Sequence, residues 1–109
     1  MSVVFLGRDL IFASRVAAAA ERHETDFRRV DTPADLPPPA GVRLLLVDWA
    51  ERQPEWAAAI AAWSGGGAPR VIVFGPHTDL EAHAAARDAG IGPMWARSKL
   101  FSSLDALLG

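Results

Sequence analysis

The chain of 109 residues contains no cysteine, so it has no disulfide framework and no thiolate metal site. It has no run approaching the roughly 20 apolar residues that a membrane helix needs. Its start, Met-Ser-Val-Val-Phe-Leu-Gly, lacks the basic residues and small-residue cleavage site of a secretory signal, so the expected compartment is the cytoplasm. It has no acidic tail, and its eleven Lys and Arg are scattered under a net charge of −2. The electrostatic footprint of a nucleic-acid binder is therefore missing, and neither nucleic acid nor membrane is an expected partner. Gly65-Gly66-Gly67 is followed by no Lys-Ser/Thr pair and precedes a strand, which excludes a phosphate-cradling loop. "FLGRDL" carries one glycine and no dinucleotide fingerprint. His23, His77 and His83 lack metal-ligand spacing, and no Ser-His-Asp or Cys-His arrangement can be assembled.

What is present is apolar: half of the residues are hydrophobic, enough for one domain spanning 1–109 with its own core. Apolar, β-branched runs predict strands at 2–6, 42–48 and 70–75. "DFRRV" at 26–30 is a charged strand suited to a sheet edge, and 92–97 is a short last strand. Helices are expected at 9–23, with Asp9 as N-cap, and at 53–67, with Pro54 first and the three glycines last. Two more are expected at 78–90, opened by a Thr78–Glu81 capping box and closed by Gly90, and at 98–109. Trp56, Ile60 and Trp63 fall on one helical face and read as core, as do Phe101, Leu104 and Leu108. Segment 31–41 holds four of the eight prolines, so the helix there is reduced to a turn after Thr32-Pro33. Alternating strands and helices argue for a parallel sheet covered on both faces, with right-handed crossovers.

In such sheets ligands gather beyond the carboxyl ends of the strands. Those ends are Gly7-Arg8-Asp9, Asp48-Trp49, Gly75-Pro76-His77 and Arg97-Ser98. Of these, Asp48 stands out, since four apolar residues, Leu44 to Val47, run straight into one carboxylate. It is either a reactive group or a carboxylate paired with backbone N–H groups or an arginine.

"RLLLVDWA", "RVIVFGPHTD" and "DAGIGPMWARS", in that order and spacing, resemble the response-regulator receiver domain over essentially the whole chain. The resemblance implies a flavodoxin-like (CheY-like), doubly wound, five-stranded parallel sheet of order 2-1-3-4-5, with a truncated second helix. It implies that Asp48 matches the aspartate that accepts a phosphoryl group from a histidine kinase in two-component systems. The remaining pocket departs from the family. Gly7 and Arg8 stand where its Mg²⁺-holding acids belong, Gly75 replaces its hydroxyl residue, and Arg97 its lysine. Ser98 replaces its proline and Met94 its aromatic switch.

Phosphoryl transfer to a carboxylate depends on positioning and on cations that neutralise the developing charge. With those parts changed, the expectation is a non-catalytic pseudo-receiver without metal or cofactor, in which Arg8 or Arg97 pairs with Asp48 in place of Mg²⁺. Arg8 is otherwise a solvent-facing arginine. Its expected output is a protein-interaction surface, for another protein or a second copy, on the last two helices and fifth strand, carrying His83, Arg87, Trp95 and Lys99. Two other readings stand beside it. One is a phosphorylatable receiver using Asp48 with an altered metal site that includes Asp9. The other is a small-anion binder in the same crevice, held by Arg8, Arg97 and the N-terminus of the last helix.

Overall fold

The computed structural model describes residues 2–65 and 69–109. Within them run β1 (Ser2–Leu6), α1 (Leu10–Arg22), β2 (Asp26–Val30), β3 (Val42–Asp48), α2 (Trp56–Ser64), β4 (Arg70–Gly75), α3 (Leu80–Asp88), β5 (Trp95–Ala96) and α4 (Arg97–Leu108). All strand pairings are parallel and the sheet order is β2-β1-β3-β4-β5. This is the flavodoxin-like, doubly wound α/β arrangement, and the order reverses between β1 and β3.

Strand alternation divides the core into two layers. Val4, Leu6, Leu45, Val47 and Val73 face α2 and α3, where they meet Trp56, Ile60, Ala82 and Ala86. Val3, Phe5, Leu44, Leu46, Ile72 and Phe74 face α1 and α4, where they meet Ala13, Val16, Ala19, Leu100 and Leu104. Because β1, β3 and β4 are buried on both faces, they lack polar alternation, and that made their limits readable. Trp63 is half-buried, and its indole N–H donates to Pro37 O at 2.7 Å. The proline segment, two short 3-10 turns at Pro33–Asp35 and Pro39–Gly41, is thus fastened to α2 instead of forming a helix of its own.

Several element limits differ from the sequence reading, each for a local reason. α2 begins at Trp56, because Gln53 to Glu55 close a turn in which Trp56 N–H donates to Gln53 O at 3.0 Å. Its expected closing glycines Gly66 and Gly67 lie outside the described residues. Asp79, not Thr78, caps α3, its Oδ1 accepting from Ala82 N–H at 3.0 Å. Gly90 then leaves the helix at φ +75°, a conformation that costs glycine little. β5 contracts to two residues. Gly92 and Pro93 precede it, and proline has no N–H to give a sheet ladder. Arg97 consequently opens α4 instead of ending a strand.

Candidate functional site

At the carboxyl end of the sheet, β3 delivers Asp48 beside Phe74 of β4. Its exposure is 2 %, and among the described residues it is the one buried charged side chain. Its Oδ1 has no hydrogen-bond partner. Burial pushes the carboxyl up from the usual carboxylate range to about 6, and the negative charges of Glu51 and Asp9 push the same way. The positive charge of Arg97 and the Ala50 N–H oppose the rise without cancelling it.

The expected arginine pairing does not form. Among the described residues, neither Arg8 nor Arg97 makes an ion pair with Asp48. Arg8 is exposed; its charge acts on Asp31, and it lines a depression with Asp31, Thr32, Glu51 and Gln53. Arg97 lies over the Phe12 ring, Cζ 5.4 Å from its centroid. It reaches Asp48 through its field alone, and its own Nε is buried without an acceptor.

Glu51, which the sequence reading passed over, organises this end of the sheet. It sits three residues after Asp48 in a 3-10 turn, Trp49–Glu51, and residues spaced by three lie on one side of such a turn. Its carboxylate accepts the Arg8 N–H at both oxygens, Oε2 at 2.8 Å and Oε1 at 3.2 Å, joining the exit of β3 to the exit of β1. The spacing Asp48-Trp-Ala-Glu51 was the available signal, but the partner lies 43 residues away.

Two glycines keep the site narrow. A Cβ on Gly7 would stand 2.8 Å from Asp48 Cβ and 3.0 Å from the Phe5 ring. A Cβ on Gly75 would stand 3.0 Å from Met94 Sδ, and Met94 is itself buried.

The acids do not fit a Mg²⁺ ion. Mg²⁺ demands near-octahedral oxygen ligation. Asp9 Oδ1 is committed to the Ile11 and Phe12 amides at 3.0 Å as the α1 cap, and both Glu51 oxygens are committed to Arg8. Among the described residues no three His, Cys, Asp or Glu side chains are grouped to hold a metal. The expected anion crevice is not assembled either, since Arg8 and Arg97 line separate depressions. Arg97 is joined instead by Arg15, a residue the sequence reading did not single out.

The expected interaction residues fall into two pairs flanking the short edge strand β5. His83 and Arg87, on α3, line a depression of about 320 Å³ with Gly90, Gly92, Pro93 and Met94. His83 Nε2 lies 2.9 Å from His77 O. Trp95, half-buried on the α4 side, lies between two cations: Lys99 Nζ is 4.3 Å from its ring centroid and Arg70 Cζ 5.8 Å. Trp49 is core, its indole N–H donating to Ala82 O at 2.9 Å. His23 bridges α1 to Asp105 of α4. No helix among the described residues is long and apolar enough to cross a membrane.

Comparison with protein-family models, with curated proteins and with solved structures gave no match for the chain.

Proposed function

We propose that the chain is a non-catalytic signalling module of receiver type, working through protein contacts. The observation that carries this reading is the state of Asp48. It ends the central strand, where the resemblance puts a receiver's acceptor, yet it is 2 % exposed. A nucleophile must reach its substrate, and phosphoryl transfer needs cations held at the transferring oxygens. Here Gly7 and Gly75 contribute no functional group, and the neighbouring acids are engaged by backbone amides. Arg97 supplies a distant field instead of a contact.

The output surface in this reading is the edge formed by α3, β5 and α4, with His83, Arg87, Trp95 and Lys99. The edge of a two-residue strand offers little backbone for sheet extension, so recognition there rests on the side chains. The occupant is another protein or a second copy of the chain.

Treatment with phosphoramidate and Mg²⁺, followed by intact mass and by NMR of the Asp48 region, tests the reading. The expected result is an unmodified chain. A phosphoryl adduct on Asp48 would replace it with a working receiver that opens before it reacts.

A further inference from the structure

Away from Asp48, α1 and α4 pack side by side and flank an open groove of about 400 Å³ lined by Phe12, Arg15, Arg97, Ser98, Phe101 and Ser102. That volume lies within the range of small-molecule sites. Its floor is aromatic, with Phe12 and Phe101 ring centroids 5.0 Å apart. One guanidinium covers each ring: Arg15 Cζ is 4.2 Å from the Phe101 centroid and Arg97 Cζ 5.4 Å from that of Phe12. Such contacts position a guanidinium without neutralising it.

Neither cation is matched. Among the described residues, carboxylates pair with Arg22, Arg29 and Arg87, but not with Arg15 or Arg97. Arg97 Nε is buried with no acceptor, so the fold holds the group in place and leaves it unsatisfied. The hydroxyl-bearing Ser98 and Ser102 lie one helical turn apart on the same wall. The wall is also the start of α4, whose N-cap is Ala96 with no side-chain cap for the first amides.

Two unneutralised guanidiniums, hydroxyls and uncapped amides together offer more donors and more charge than a carboxylate can use. A phosphate monoester supplies up to two negative charges and three terminal oxygens, and guanidinium forks match it bidentately. We propose that the α1–α4 groove binds a small-molecule phosphate monoester, with its phosphoryl group between Arg15, Arg97 and Ser98 and its organic part along the outer faces of the two guanidiniums, which the rings hold from beneath. Asp48 does not line the groove, so its ligand is independent of whether Asp48 accepts a phosphoryl group. Arg97 acts on Asp48 only through its field, and an anion on that side chain offsets that field.

Titration of ¹⁵N-labelled protein with phenyl phosphate, inorganic phosphate and benzoate, at constant ionic strength, tests the proposal. Phenyl phosphate should shift the amides of residues 97–102 and the Arg15 side chain, with saturation, and move the Asp48 carboxyl titration upward. Benzoate should bind at least about tenfold more weakly, a difference of 1.4 kcal/mol. Arg15→Gln, a change at an exposed side chain, should weaken phenyl phosphate by a similar factor. Arg28→Gln, which removes the same charge from an exposed site on β2, should leave binding unchanged. Any of three results would overturn the proposal: undiminished binding by Arg15→Gln, shifts centred away from α4, or no preference for phenyl phosphate over both inorganic phosphate and benzoate.

Discussion

Asp48→Asn should stabilise the protein at neutral pH, and by an amount that grows with pH. The carboxyl has an ordinary value of 3.8 and is raised to about 6 in the fold, chiefly by burial and then by Glu51. A folded value above the unfolded one means that the native state binds the proton more tightly. Stability is then fully present below the unfolded value and declines as pH rises through the folded one. At about 1.36 kcal/mol per pKa unit, the ionised carboxylate costs the native state about 3 kcal/mol once the pH is well above 6. Asparagine has nearly the same shape and never ionises. The difference in unfolding free energy between variant and wild type should therefore increase between about pH 4 and pH 7 and then level off. For a domain of this size, about 4 °C per kcal/mol predicts a Tm gap at pH 8 larger by about 12 °C than at pH 4. Asp31 and Asp105, whose carboxyls are held low by Arg29 and by His23 with Arg22, lose their contribution only at lower pH and cancel in the difference. Urea melts of both proteins at half-unit pH steps provide the measurement. A difference that is constant with pH, or a variant that loses ground as pH rises, would refute the claim that Asp48 is a buried, unpaired charge.

Glu51→Gln removes the largest charge acting on Asp48, so the Asp48 carboxyl should titrate at lower pH, read from ¹³C carboxyl shifts. Gly7→Ala places a methyl 2.8 Å from Asp48 Cβ and should cost about 1–3 kcal/mol of unfolding free energy as overpacking, measured in urea. Asp79→Ala should lose about 1 kcal/mol as the cap of α3, whereas Thr78→Ala should be nearly neutral; equal losses would return the cap to Thr78.

The sheet was legible in the sequence because burial on both faces writes itself as an uninterrupted apolar run. β3 matches its expected limits of 42–48, and β4 its limits of 70–75. Asp9 was legible as a cap because capping is local: the Asp9 side chain reaches amides two and three residues on. Thr78 misled because two capping residues stand side by side, and the choice between Thr78 and Asp79 depends on where the chain leaves β4. The site was only half legible. Asp48 was marked by its place at the end of an apolar run, but its neighbours are set by crossings of distant segments. Glu51 meets Arg8 N–H across 43 residues, and Arg15 meets Arg97 only because α1 and α4 pack together. Charge complementarity suggested that an arginine would turn toward Asp48. The Arg8 side chain faces solvent and the Arg97 guanidinium rests on Phe12, so the acid is left without an ion pair.

The glycines at the strand ends give these departures a common cause. Read as absences, Gly7 lacks an acid and Gly75 lacks a hydroxyl. In the fold, both mark space already occupied. Asp48 Cβ lies 2.8 Å from where a Gly7 side chain would begin, and Met94 Sδ 3.0 Å from where a Gly75 side chain would begin. Trp49 continues the closure, its indole buried at 1 % exposure and bonded to Ala82 O of α3. Asp48 and Trp49 are thus closed off from solvent at the carboxyl end of β3, so a ligand reaching the Asp48 carboxylate must displace side chains. An acid placed at position 7 would collide with Asp48, and a hydroxyl residue at position 75 would have to shift Met94. Opening a phosphoryl-accepting pocket around Asp48 would require Met94 and the Trp49–Glu51 turn to move as well.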